Sequence, residues 1–222
     1  MNEKIRKELE EIPISYPEDH LCHTYYCLLN PQGRDQVAQH LLRFIKPLYQ
    51  IRELSEDEKA RIIYETISRC MVYDHSNEGM ERFTYMGGII HCKAVCMGIA
   101  ELFTLLGSAL GLKVITVIGY GGDPARSGGL HAWNQVWIDS IPYHVDLTWD
   151  LSDNYHARGG YFKFYLKSDE YMENHDHQWL KNRYVECPRD KPESEIPRIN
   201  PDAIQLLCQN FQKMRRSLAA SI

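Results

Sequence analysis

Apolar residues along the chain recur at helical spacing in some stretches and alternate in others, which predicts a fold mixing helices and strands. Val37, Leu41, Leu42 and Ile45 mark one helix between Gly33 and about Pro47. A second opens at Ser55, where Glu58 completes a capping box, and carries Ile62, Ile63 and Ile67 on one face. A third runs from Cys96 to about Leu110, with Ile99, Leu102, Phe103, Leu106 and Leu110 on its buried side and Gly111 as its stop. The β-branched run Lys113–Gly119 predicts a strand. His131–Ile138 and Tyr143–Leu147 alternate on either side of Asp139-Ser140-Ile141-Pro142, which predicts a hairpin. Weaker signals predict a charged helix over residues 2–12, a strand at Tyr161–Leu166 followed by a polar helix or loop, a connector at Pro188–Pro201 and a closing helix to about Leu218. Asn77–Gly88 is aperiodic and predicts a loop. The glycine-rich 119–129 predicts a mobile loop over any site formed by His131, with Gly121-Gly122 and Gly128-Gly129 as hinges.

Composition adds limits. With 222 residues, 44% hydrophobic and 11% aromatic, the chain can bury a core without disulfide or metal staples. A formal net charge of -5 and a pI near 6.1 make nucleic acid and acidic membranes poor partners. The seven cysteines are an odd number, so at least one is not paired within the chain. The N-terminal twenty residues hold no apolar run of signal-peptide length, and no segment approaches a membrane span, so a reducing cytoplasm is the expected home.

In that setting a thiol can be reactive. Cys96 opens its helix, where free N–H groups favour a thiolate, and the small neighbours Ala94, Gly98 and Ala100 suggest room for a substrate backbone. The ordinary alternative is a small core cysteine. With a two-residue turn at Asp139-Ser140, opposed hairpin residues sum to 279, so Asp146 faces Trp133, one rung from His131. His131, Trp133 and Asp146 then share a face, with His131 and Asp146 diagonal neighbours about 7 Å apart between β-carbons. Nucleophile, base and orienter follow: Cys96 attacks, His131 takes the thiol proton, and Asp146 fixes the imidazole.

KAVCMGIAEL (93–102), HAWNQVWI (131–138) and YHVDLTWD (143–150) resemble the three signature blocks of the transglutaminase-like superfamily, and MVYDH (71–75) resembles the segment before the nucleophile in bacterial members. The resemblance covers about residues 55–180 and implies a papain-like triad in the roles already given to Cys96, His131 and Asp146. It points to the bacterial peptidase-like branch. One departure is Ile99, where such proteins commonly carry an aromatic residue on the substrate side.

Other residues offer rival roles. Cys92 lacks the glycine and small neighbours that follow Cys96. His144 shares a strand with Asp146 and is read as a packing or rim residue. Trp133 is a candidate substrate-binding residue, with a core aromatic as its alternative. Asp139 or Asp150 would replace Asp146 if that carboxylate proved dispensable. His175, His177 and Cys187, even with Cys22, His23 and Cys27, fit no zinc spacing, so no metal and no cofactor is expected.

The expectation is therefore an α+β fold: a nucleophile helix packed on an antiparallel sheet in a transglutaminase-like core at 55–180. A helical extension at 1–54 and a connector and helix at 181–222 would flank it. The expected function is thiol-dependent acyl transfer on a peptide or protein substrate through a Cys96 thioester. Hydrolysis is preferred because bacterial proteins of this resemblance are often described as peptidase-like and no calcium-binding loop is visible. Protein-glutamine transamidation and a non-catalytic binding module are the alternatives.

Overall fold

The computed structural model describes residues 3–11, 53–76, 78–122, 128–152 and 162–219. The helix expected at 33–47 and the Cys22, His23 and Cys27 cluster lie outside them.

Helix α1 (Glu3–Glu11) accepts a hydrogen bond from Arg183 at the Glu10 carbonyl. Helix α2 (Glu56–Cys70) starts as its sequence predicts: the Ser55 hydroxyl accepts from the Glu58 N–H, and the Glu58 carboxylate accepts from the Ser55 N–H. Such a cap contributes about 1 kcal/mol. The helix buries Ile62, Ile63 and Ile67. Strand β1 (Val72–Tyr73) then pairs in parallel with β2 (Lys93–Ala94), which aims the chain into α3 (Cys96–Ala109). Gly111, at φ +80°, turns the chain out of that helix.

Among the described residues one antiparallel sheet has the order β6-β5-β4-β3-β7, from β3 (Val114–Gly121), β4 (Gly129–Ile138), β5 (Ile141–Val145), β6 (Tyr165–Lys167) and β7 (His177–Trp179). The β4–β5 register is the one read from the sequence, Ile138 opposite Ile141 and Gln135 opposite His144. Asp139 and Ser140 both take positive φ, 51° and 67°, as a tight two-residue hairpin turn requires. The Asn134 face of β4 lies on α3, where the Asn134 amide donates to the Ala100 carbonyl at 3.0 Å. There Val136 and Ile138 join α2 and α3 in the main core, which Leu207 and Phe211 of helix α6 (Pro201–Ala219) close from outside. The opposite face carries a second core around Val117, Trp133, Phe164, Met172 and Trp179. The fold is thus α+β, a helix packed on an antiparallel sheet, and no helix among the described residues is long and apolar enough to cross a membrane.

Several local expectations fail. The expected loop ending in Gly87-Gly88 is replaced by a short helical turn at Glu81–Phe83 and a wide one at Gly87–His91. Gly87 serves packing there, since a β-carbon would come within 2.8 Å of the Glu81 and Lys93 carbonyl oxygens. Gly121 and Gly129 are not hinges but strand residues paired with each other. Leu147 leaves β5 to open α4 (Leu147–Ser152), β6 is shorter than expected, and β7 follows α5 (Asp169–Glu173) where a polar helix or loop was expected.

Candidate active site

Cys96 sits in the first turn of α3. Val95 precedes it in extended conformation and offers no side-chain cap, so no capping side chain occupies the helix's first N–H groups. Strand β5 ends opposite Asn134, one rung short of Ala132, and the Ala132 N–H reaches the Cys96 sulfur beyond that last rung. His131 hydrogen-bonds the same sulfur. Its Nε2 is 2.6 Å from Asp146 Oδ2, which leaves Nδ1 for the thiol. Asp146 follows β5 directly. Its N–H donates to the Phe164 carbonyl, and its Oδ1 caps α4 by accepting from the Trp149 N–H at 3.1 Å.

Two glycines on β3 make this meeting possible. A β-carbon on Gly119 would stand 2.5 Å from the Trp133 ring, and one on Gly121 would stand 3.1 Å from the His131 ring. The vacated face admits the Trp133 and His131 rings of β4.

Electrostatics follow from the contacts. For Cys96 burial is the largest influence and opposes the thiolate, but the His131 hydrogen bond, the His131 charge and the Ala132 N–H outweigh it and leave the thiol below its ordinary value. Burial also opposes the His131 imidazolium, yet the charge and hydrogen bond of Asp146, with Cys96 behind them, push it up to about 10. Burial would raise Asp146, but the charge and hydrogen bonds of His131 and His177 hold it well below the usual carboxylate range. Together these favour a thiolate–imidazolium pair braced by a carboxylate.

The other candidates fall elsewhere. Trp133 is 1% exposed and is not available to bind substrate; it stacks behind His131 with ring centroids 5.7 Å apart. Gly98 makes no room for substrate either, because a β-carbon there would meet the Arg82 and Thr84 carbonyl oxygens at 2.6 Å. Ala94, Ile99 and Ala100 lie in buried surroundings, so the Ile99 departure changes the core and not a substrate wall. Cys92, in the left-handed region at φ 54°, packs against the main core. His144 is not at the rim: it is fully buried, accepts from the Trp133 indole N–H at 2.9 Å and meets Asp169 at 2.9 Å. Asp139 lies in the exposed hairpin turn. Asp150 accepts from the Tyr64 hydroxyl and the Lys163 and Phe164 N–H groups, and burial, the largest influence, pushes it up to about 7.

His177, which the sequence offers only as a metal-ligand candidate of poor spacing, stands beside the carboxylate. From β7 its Nε2 comes 2.9 Å from Asp146 Oδ2, the oxygen that also meets His131. Its ligand atoms and those of His131 and Asp146 lie within 4.8 Å of one another, as do those of His144, Asp169 and Cys187. Neighbouring ligands on a tetrahedral metal stand roughly 3.4 Å apart, given bonds near 2.1 Å. The 2.6 and 2.9 Å separations about Asp146, and the 2.9 Å between His144 and Asp169, are instead hydrogen bonds.

Residues 48–149 match the family model described as the transglutaminase-like superfamily. No curated protein matches the chain. Among solved structures, it is similar to a Cytophaga hutchinsonii protein provisionally described as a cysteine protease, at 17% identity over 60% of this chain and 47% of that one, with a TM-score of 0.35. It is also similar to a structure described as a TGase, at 15% identity over 72% of this chain and 41% of that one, with a TM-score of 0.41. The chain thus spans less than half the length of either. The matched segment, a little under half of the chain, holds Cys96, His131 and Asp146, and over it the chain is similar to the transglutaminase-like superfamily.

Proposed function

We propose that the protein is a thiol-dependent acyl-transfer enzyme acting on peptide or amide carbonyls, with Cys96, His131 and Asp146 as its catalytic residues. The observation that carries this is the direct contact of the Cys96 sulfur with the His131 imidazole, itself held by the buried Asp146 carboxylate at 2.6 Å. The thiolate attacks the carbonyl carbon, and the developing oxyanion is met by the Cys96 N–H at the start of α3. The His131 imidazolium gives its proton to the departing amine as the C–N bond breaks, leaving a thioester on Cys96. His131 then takes a proton from water, whose oxygen attacks the thioester, and returns that proton to the sulfur as the carboxylic acid leaves. An amine in place of water would give transamidation.

Hydrolysis of a peptide or protein substrate is the preferred reading, in the reducing setting that a cytoplasmic protein has and a thiolate needs. A peptide library incubated with the purified protein, with and without a primary amine, tests it. The expected result is new carboxyl termini or deamidated side chains that need Cys96. Products that appear only with amine would make the enzyme a transamidase, and no product under any condition would favour a binding module.

A further inference from the structure

His177 is fully buried, and the reaction just described does not use it. Its Nδ1 lies 2.7 Å from the His175 carbonyl oxygen, and its Nε2 lies 2.9 Å from Asp146 Oδ2. A carbonyl oxygen only accepts, so Nδ1 must carry hydrogen. A neutral imidazole would then turn a lone pair at Nε2 toward the lone pairs of a carboxylate. Both contacts are hydrogen bonds together only when both ring nitrogens carry hydrogen. Transferring that proton to Asp146 is the poorer solution, because Asp146 already accepts from the Trp149 N–H and faces His131.

We infer that His177 is a positioning residue, present as an imidazolium, that fixes Asp146 from β7 and completes a chain of alternating charge: thiolate, imidazolium, carboxylate, imidazolium. This rests on the reading of Cys96 as the nucleophile. Without the second cation the reactive state would hold one uncompensated negative charge in a buried site, a costly arrangement. With it the four side chains sum to zero. The titratable groups around His177 are Asp146, His131 with its ring centroid 5.7 Å away, His144 from β5 and His175 from its own turn. Trp133, Trp149 and Phe164 supply apolar walls at 5.1, 4.3 and 5.4 Å between centroids. Asp146 is thus the carboxylate in contact with the ring.

Removing a cation makes a nearby thiolate harder to form. In His177→Phe the midpoint of Cys96 alkylation by iodoacetamide should therefore move to higher pH by about one unit, which is about tenfold slower labelling on the acid side. His177→Gln keeps an N–H for Asp146 but no charge, and its midpoint should stay raised. An unchanged midpoint in a folded His177→Phe, or full restoration by glutamine, would overturn the inference. If His177→Phe does not fold, nitrogen-15 NMR of the unsubstituted protein near pH 7 decides: both His177 ring nitrogens protonated supports it, and a single-nitrogen tautomer defeats it. The two readings fail separately. A Cys96 that labels no faster than an unfolded control removes the nucleophile, whereas a reactive Cys96 with an indifferent His177 removes only the imidazolium.

Discussion

Cys187, His144 and Asp169 repeat the residue types of Cys96, His131 and Asp146, yet the two clusters differ in which atoms meet. At the first, Asp146 takes Nε2 of His131, and the other nitrogen is left to a half-buried sulfur. At the second, both nitrogens of His144 are spent. The Trp133 indole N–H donates to Nδ1, and Nε2–H donates to Asp169, a neutral tautomer fixed by its neighbours. Burial is the largest influence on His144 and lowers it, where His131 is raised. The Cys187 sulfur meets the Gln135 amide at 3.3 Å, and burial followed by the Asp169 charge pushes the thiol up. The residue types of a triad are therefore insufficient to activate a thiol; an imidazole nitrogen must remain for it. The clusters also support each other, because Trp133, held by His144, stacks behind His131.

Substitutions can break this contrast at graded strength. Cys96→Ala should abolish turnover with the fold intact, whereas Cys187→Ala should leave turnover in place and cost about 1 kcal/mol of stability by emptying a buried position, read as a fall in Tm. Asp146→Asn should slow turnover on the order of a thousandfold or more by disturbing the His131 tautomer. Asp169→Asn should mainly lower Tm, because its partners are His144 and the Cys187 N–H. A smaller effect, about tenfold in turnover, is expected of His144→Phe, which frees the Trp133 indole from its acceptor.

Asp150 gives the mildest test and concerns pH. An unfolded chain releases such a proton near pH 4, whereas burial holds the folded Asp150 to about 7. The folded state binds more protons between those values, so stability falls as pH rises from about 4 to about 7 on this residue's account. Asp150→Asn should remove that part of the slope in denaturant titrations at pH 4 and 7.

Legibility tracked locality. The α2 cap could be read because Ser55 and Glu58 are three residues apart, and the hairpin register because its turn is two residues and one face alternates. That register alone placed Asp146 beside His131. His177 was hidden because β7 is three residues long and pairs with β3 across more than fifty positions, so neither periodicity nor spacing marks it. Gly87 and Gly98 misled for a related reason: each is small because carbonyls of other turns press on it, Glu81 and Lys93 on the first and Arg82 and Thr84 on the second, which the sequence does not record. Trp133 lay on the expected face, but its burial depended on Gly119, Trp179 and Phe164 closing around it.

On this reading Cys96 is activated by its place and Cys187 is silenced by its own. Timed iodoacetamide labelling of the folded protein from pH 5 to 9, with each cysteine followed by peptide mass spectrometry, tests it most directly. Cys96 should label first and already near pH 6, while Cys187 stays unmodified until the protein is unfolded. Labelling of Cys96 no faster than Cys187, or only on unfolding, would contradict it.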